Sequence, residues 1–184
     1  MLISSRLRSL YVRYLSKPKL NRPVYRAIHR HGPKKIVELG VGDGRRALQM
    51  IKLATQSTPR QDIHYVGIDP FEDQPASSNP GLPLKAAYQL LRGTGARVQL
   101  IPGAPPDALV QHANSLGKVD LLVISVKQGE AMSPKVWFFV PRLLHASSLV
   151  YVEETLADGQ RALCFCPRDE IDRLATVALG RRAA

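Results

Sequence analysis

Residues 34–44 have the sequence KKIVELGVGDG, which is the strongest indication of the fold of this chain. Its apolar first half predicts a buried strand at residues 35–39, and three glycines at alternate positions then predict a tight turn. A helical pattern follows over residues 44–54. A strand, a glycine-rich turn and a helix open a βαβ unit, in which the backbone of the turn approaches a nucleotide-like ligand. Glu38 places a carboxylate at the end of the strand, where open α/β sheets bind ligands.

A second apolar strand, HYVGID at residues 64–69, also ends in an acid. Asp69 lies 25 residues beyond Gly44, near the offset of about 20 residues at which an acid meets ribose hydroxyls in dinucleotide-binding folds. The alternative is that Asp69 caps a helix or loop, since acids are common at strand ends. For the glycines, the alternative is a turn that binds no ligand.

The rest of the chain continues to alternate between strands and helices. We predict strands at residues 97–102, 119–126, 148–153 and 161–166, and helices at residues 85–92, 106–116, 134–140 and 168–179. This alternation predicts an α/β fold with a doubly wound, Rossmann-like, mostly parallel sheet. Between the second strand and the next helix, the proline-rich residues 70–83 predict a loop long enough to form a lid. Pro141 is expected to bend or end its helix, and Trp137, Phe138 and Phe139 to pack on the sheet.

The net charge of +11 is concentrated at the N-terminus. Residues 1–35 carry ten Lys or Arg and no acid, whereas the other 149 residues carry 16 bases and 15 acids. We therefore divide the chain into a basic helical segment, residues 1–33, and a Rossmann-like domain, residues 34–184. The basic segment could meet nucleic acid, an anionic lipid surface or an acidic partner.

Two helices are predicted within this segment, at residues 3–15 and 24–31. The first carries an apolar stripe at helical spacing, with its arginines mostly off the stripe. One interpretation is that the apolar face caps the sheet; the other is that the helix docks on RNA or lipid headgroups. The stripe consists of Ile3, Leu7, Leu10, Tyr11, Tyr14 and Leu15.

The composition indicates a globular cytoplasmic protein. No apolar run approaches the ~20 residues of a membrane span, and the N-terminus lacks the apolar core of a secretory signal. Cys164 and Cys166 alternate on a predicted strand. Positions two apart seldom form a disulfide, and two thiols alone make a poor zinc site, so buried structural thiols are expected.

The form E-x-G-x-G-x-G, followed by an acid after the second strand, resembles the class I S-adenosylmethionine-dependent methyltransferases over residues 34–154. The resemblance implies S-adenosylmethionine as cofactor and a methyl acceptor that the sequence does not identify. It also implies a set of cofactor contacts: Glu38, Gly40, Gly42 and Gly44 along the methionine and sulfonium region, Asp69 at the ribose hydroxyls, and Ala104 near the adenine.

The chain departs from that family in three places. Gly103-Ala104-Pro105 stands where an acid near the adenine is usual, residues 145–148 replace a glycine-containing turn, and a tight turn at residues 157–160 shortens the C-terminal part. No amine-methylating or metal-binding motif is present in the sequence. Candidate catalytic residues follow the fourth strand, where solvated loop residues are the alternative; these candidates are Ser125, Lys127 and Glu130.

Three functions are therefore open at this point. The first is an S-adenosylmethionine-dependent methyltransferase. The second is a catalytically inactive binding or scaffold protein of the same fold, which would use its basic N-terminus for nucleic acid or an acidic partner. The third is an oxidoreductase-like nucleotide-binding domain.

Overall fold

The computed structural model describes residues 5–56, 58–71, 82–125 and 134–183. The predicted alternation of strands and helices is confirmed, and the predicted loop at residues 70–83 lies largely outside the described residues. The described residues form two short 3₁₀ turns, Lys19–Asn21 and Arg60–Asp62, and the helices and strands that follow. In chain order the helices and strands are α1 (Ser5–Tyr14), α2 (Arg22–His31), β1 (Lys35–Leu39), α3 (Arg45–Ala54), β2 (His64–Asp69), α4 (Leu84–Arg92), β3 (Arg97–Pro102), α5 (Pro105–Leu116), β4 (Val119–Ile124), α6 (Pro134–Leu143), β5 (Leu144–Thr155), β6 (Arg161–Phe165) and α7 (Arg168–Ala183).

The six strands form one sheet in the order β3-β2-β1-β4-β5-β6. All neighbouring pairs are parallel except β5 and β6, which are antiparallel. The chain builds outward from β1 in one direction and from β4 in the other, so the strand order reverses between β1 and β4. In open α/β sheets, ligands bind at the carboxyl ends of the strands beside this reversal.

Both faces of the sheet are covered, as the apolar strands require. Val37 and Leu39 face a core built with α5, α6 and α7, whereas Ile36 faces a core built with α2, α3 and α4. Because side chains alternate along a strand, Glu38 lies on the same face as Ile36. The Glu38 carboxylate therefore lies within the core on the side of the sheet that α2, α3 and α4 cover.

The two N-terminal helices differ in how much apolar surface they bury. Along α2, Val24 and Ile28 are fully buried in the core on the α3 side. In α1, only Val12 is recorded as buried among the side chains described. The expectation that the apolar stripe of α1 caps the sheet is wrong for Leu10, Tyr11, Tyr14 and Leu15, which are all exposed. The reason is that α1 lies against α2 rather than over the sheet.

The fifth strand is longer than the predicted residues 148–153. It begins at Leu144, which pairs with Val119, and its register then jumps so that Leu121 pairs with Leu149. Residues 145–148 therefore lie opposite a single residue of β4, as a bulge. The sequence predicts that these residues replace a glycine-containing turn, but they form part of the strand.

Other details of the C-terminal half also differ from expectation. Pro141 was expected to bend or end its helix; it does not end it, because it lies inside α6, which continues to Leu143. Cys164 and Cys166 are free thiols that are only partly buried, so the prediction of buried thiols is wrong. They lie at the antiparallel edge of the sheet, which is covered less completely than the centre. In contrast, Trp137 and Phe139 are buried against the sheet as predicted. Within the described residues, no helix is long and apolar enough to cross a membrane.

Candidate functional site

The glycine turn between β1 and α3 leaves open space at the carboxyl end of β1. Gly42 has a φ of +61°, and a Cβ added there would meet no atom of the described residues within 4 Å. Gly44 has a φ of +73°, but a Cβ there would lie 3.0 Å from side-chain atoms of Leu82 and Leu90. Both glycines permit left-handed backbone. Gly42 borders open space, whereas Gly44 allows the turn to pack closely against the α4 side.

Asp69 fixes this turn to the end of β2. Its Oδ2 accepts hydrogen bonds from the backbone N–H groups of Val41 at 2.8 Å and Gly42 at 3.1 Å. Its Oδ1 accepts a third from Phe71 at 3.1 Å. The loop-capping alternative for Asp69 is therefore present in the structure. Contact between Asp69 and a ribose stays a prediction. Asp69 lies at the carboxyl end of β2, where that contact is expected.

Glu38 is fully buried and both of its carboxylate oxygens are hydrogen-bonded. Arg46 Nε donates to Oε1 at 2.5 Å, and the Tyr65 hydroxyl donates to Oε2. Burial raises the pKa of Glu38 above its ordinary value, while the attraction of Arg46 and the hydrogen bonds oppose that rise. The pKa of Tyr65 is raised well above its ordinary value, mainly by burial and next by the negative charge of Glu38. The Tyr65 hydroxyl therefore stays protonated and donates.

Arg46 is the centre of this polar network. Besides its bond to Glu38, it donates from Nη1 to Ser125 Oγ at 3.0 Å and from Nη2 to the Gly40 carbonyl at 2.7 Å. Burial lowers the pKa of Arg46, but the attraction and hydrogen bond of Glu38, together with the charges of Tyr65 and Glu153, outweigh it and leave the pKa raised. The guanidinium is therefore a permanent positive charge beside the glycine turn, with only 9% of the residue exposed.

The network continues to the ends of β4 and β5. Ser125 Oγ donates to Glu153 Oε2, and Glu153 Oε1 forms an ion pair of 2.8 Å with Arg161. Arg46 Nη1 is 3.9 Å from Glu153 Oε2. The network thus joins two acids, Glu38 and Glu153, to two arginines, Arg46 and Arg161. Its charges balance within the carboxyl edge of the sheet.

The predicted site residues are partly brought together. Glu38, Gly40, Gly42, Asp69 and Ser125 all lie at the carboxyl ends of β1, β2 and β4. Gly44 lies next to them but faces α4. The remaining predictions are Ala104, which precedes the first turn of α5, and Lys127 and Glu130, which lie outside the described residues.

Sequence reasoning missed Arg46, Tyr65 and Glu153. Helical spacing could have identified Arg46, because it shares a stripe with Met50 and Leu53, both buried. Tyr65 and Glu153 fall on the same sheet face as Glu38 by the alternation of each strand, but the pairing of the strands is needed to see this. The network therefore depends on strand order as well as on local pattern.

A separate polar cluster lies at the opposite, amino end of the sheet. His145 Nε2 is 2.9 Å from Asp120 Oδ1, and Asp120 Oδ2 accepts the backbone N–H groups of Lys34 and Lys35 at 2.8 Å each. These bonds hold the bulge of β5 and the start of β1 together. His145 is thus remote from the glycine turn.

The chemistry at the carboxyl edge suits an adenosyl ligand in two respects. Asp69, the acid predicted to meet the ribose, ends β2 beside the glycine turn, and a Cβ at Gly42 would meet no atom of the described residues within 4 Å. At the amino-acid end, however, Glu38 is already paired with Arg46. Among the described residues, no group of three His, Cys, Asp or Glu side chains could hold a metal ion.

Comparison with known proteins yields structural neighbours only. No family model and no curated protein matches the sequence. An O-methyltransferase from Bacillus cereus in complex with SAH has a TM-score of 0.59 at 12% identity, covering 100% of this chain and 81% of the other. An O-methyltransferase from Streptomyces achromogenes involved in tomaymycin synthesis, in complex with SAM, gives 0.56 at 13% identity, with 100% and 80% covered. A TehB-like SAM-dependent methyltransferase from Corynebacterium glutamicum gives 0.54 at 15% identity, with 94% and 78% covered. The sheet order, the position of the glycine turn and these similarities together show that the chain has the class I S-adenosylmethionine-dependent methyltransferase fold.

Proposed function

We propose that the protein is an S-adenosylmethionine-dependent methyltransferase. The observation that carries this proposal is the position of Asp69, which ends β2 beside the glycine turn and next to the reversal of strand order. Two of the structural neighbours are complexes with SAH or SAM, which supports the proposal. A cytoplasmic location is part of the proposal.

Several residues would hold the cofactor. Asp69 would accept the ribose hydroxyls, Gly42 would border the amino-acid chain, and the backbone around Ala104 would line the adenine. When bound, S-adenosylmethionine supplies a methyl group on positively charged sulfur. The protein would contribute mainly by fixing the acceptor in line with that group, since proximity and orientation can supply much of the rate.

The acceptor would approach over the ends of β4 and β5. Ser125 and Glu153 lie there, linked by a hydrogen bond, and Glu153 is also paired with Arg161. Ser125 would orient a polar group of the acceptor. Lys127 and Glu130, which follow β4 in the sequence, stay candidates for a base that takes a proton from the acceptor.

Calorimetry on the full chain tests the cofactor assignment. We expect S-adenosylmethionine and S-adenosylhomocysteine to bind in the micromolar range and NAD not to bind. Asp69→Ala should weaken S-adenosylhomocysteine by at least about tenfold, or about 1.4 kcal/mol. Binding of NAD alone would instead favour an oxidoreductase-like domain, and unchanged affinity in the variant would remove the ribose role of Asp69.

A second candidate is a scaffold protein that binds nucleic acid through its basic N-terminus. A specific observation favours it: Arg26 and Arg30 line a pocket of about 290 Å³ together with Tyr151. Neither arginine takes part in an ion pair within the part of the chain that the structure describes. Phe165 packs edge-on against Tyr151 with ring centroids 5.8 Å apart and is itself exposed. Unpaired cations beside aromatic rings suit a single-stranded nucleic acid.

A further inference from the structure

Arg46 occupies the end of the site that the resemblance assigns to the methionine part of the cofactor. The Asp43 carboxylate of the turn accepts the Arg45 N–H at 3.0 Å and lies 3.4 Å from Arg45 Nε. The Glu38 carboxylate and the Gly40 carbonyl are two further acceptors there. Both accept hydrogen bonds from Arg46, at 2.5 Å and 2.7 Å, and the second oxygen of Glu38 accepts from Tyr65. An incoming ammonium group would meet a guanidinium of like charge, and acceptors that are already engaged.

The same guanidinium retains donors for an anion. Of its five N–H bonds, three donate to Glu38, Ser125 and Gly40 among the described residues. One N–H remains on each of the two terminal nitrogens. A pair of N–H groups on a planar guanidinium matches the two oxygens of a carboxylate, and this fork is a strong and specific recognition element.

The amino end of α3 adds to this attraction only in part. Arg46 is the second residue of α3, and the first helical N–H, that of Arg45, already donates to Asp43 Oδ1 at 3.0 Å. The dipole of a helix attracts anions at its amino end, but the Asp43 carboxylate already lies there. The preference for a ligand carboxylate therefore rests on the Arg46 guanidinium.

We propose that Arg46 binds the carboxylate of the amino-acid end of the adenosyl ligand, so that the site selects its ligand by the carboxylate and not by the ammonium. This inference rests on the proposed function, because it assigns the amino-acid end of that same site. Glu38 then serves to hold Arg46 in position and contacts the ligand only through it.

Calorimetry with three ligands on the wild-type chain tests this directly. The ligands are S-adenosylhomocysteine, its decarboxylated form, which keeps the ammonium, and its deaminated form, which keeps the carboxylate. Removing a hydrogen bond to a charged group weakens binding by roughly 10- to 100-fold. We expect decarboxylation to weaken binding by at least about tenfold, and deamination to weaken it by less than about threefold.

The outcomes separate the two proposals. A larger loss on deamination than on decarboxylation would overturn the carboxylate assignment and leave the methyltransferase proposal standing. Failure of S-adenosylhomocysteine to bind at all would overturn both.

Variants assign the effect to Arg46. Because Arg46→Gln alone leaves Glu38 buried without its partner, the double variant Glu38→Gln/Arg46→Gln is the better test. It should bind decarboxylated and intact S-adenosylhomocysteine with affinities within about threefold of each other, and should still bind adenosine, which lacks the amino-acid end. Arg45→Gln is the matched control, since its side chain is 88% exposed, and it should keep the wild-type preference. A double variant that is folded by circular dichroism and retains the tenfold preference would overturn the role of Arg46.

Discussion

Arg46 Nε donates a 2.5 Å hydrogen bond to Oε1 of Glu38, and the two buried side chains form an ion pair in the interior of the protein. Removing one partner of a buried pair leaves a charge without compensation. Arg46→Met should therefore lower the free energy of unfolding by about 3–5 kcal/mol, as measured by urea denaturation.

Two further variants show whether the loss comes from the unpaired carboxylate. Arg45→Met, at the exposed neighbouring position, should change the free energy of unfolding by less than about 0.5 kcal/mol. Glu38→Gln/Arg46→Met has no buried charge left at this pair and should be more stable than Arg46→Met alone. If the double variant is the less stable of the two, the cost lies in packing and not in charge.

Gly42 and Gly44 should respond differently to alanine. Left-handed backbone costs a non-glycine residue about 1–2 kcal/mol, and both glycines have positive φ. At Gly44 the new Cβ also meets Leu82 and Leu90 at 3.0 Å, whereas at Gly42 it enters open space. Gly44→Ala should be the less stable protein in thermal or urea unfolding.

For ligand binding, we expect Gly42→Ala to be the more damaging of the two variants. Its methyl group fills the space where the ligand would lie against the turn, so it should lower the affinity for S-adenosylhomocysteine more than Gly44→Ala does, although it lowers stability less. Calorimetry on both variants, at a temperature where both are folded, makes the comparison. Equal affinities for the two variants would argue that the ligand does not contact Gly42.

The fold was largely predictable because its signals are local. The predicted bounds of three strands match the observed bounds residue for residue: 35–39 for β1, 64–69 for β2 and 97–102 for β3. The glycine turn follows β1 as predicted. The early start of β5 was not predictable, since residues 144–148 carry a polar bulge that β4 holds in place through Ser148 Oγ and the Val119 carbonyl, 2.6 Å apart.

The site was only half predictable for a related reason. Glu38 and Asp69 follow from the positions at which strands end, which the sequence reveals. What their carboxylates bind follows from tertiary contacts: backbone N–H groups of the turn for Asp69, and a long side chain reaching back from α3 for Glu38. Nothing in the adjacent pair Arg45-Arg46 alone distinguishes the exposed arginine from the buried one; only the helical spacing does.

Asp120 should make stability depend on acid pH. Burial raises the pKa of Asp120, but the hydrogen bonds from Lys35, His145 and Lys34 outweigh that and lower it below the ordinary value of 3.8. A carboxyl with a lowered pKa in the folded state contributes stability above its unfolded pKa and loses it as pH falls through the folded pKa. Asp120→Asn should therefore be less stable than the wild type at neutral pH, and the difference should shrink below about pH 4.

Chemical denaturation between pH 2.5 and 7 measures this difference. Because Asp120 is partly exposed, the effect is expected to be modest. Asp62→Asn, at an exposed position, is the matched control and should show no comparable change with pH. A gap between Asp120→Asn and the wild type that stays constant down to pH 2.5 would mean that the Asp120 contacts do not depend on its charge.

Nucleic-acid binding by the N-terminal segment would depend on Arg26 and Arg30. Fluorescence anisotropy with a labelled single-stranded RNA of about 12 nucleotides tests it, and binding should weaken linearly with the logarithm of salt concentration, with a slope of about −0.7 for each phosphate contacted. Arg26→Ala/Arg30→Ala should reduce that slope in magnitude and lower the affinity at least about tenfold at low salt.

The control Arg92→Ala/Arg97→Ala removes the same charge at the end of α4 and on β3, the far edge of the sheet, and should change affinity much less. Equal losses from the two double variants would indicate attraction to net charge alone, and no binding by the wild type would exclude the scaffold candidate in its nucleic-acid form.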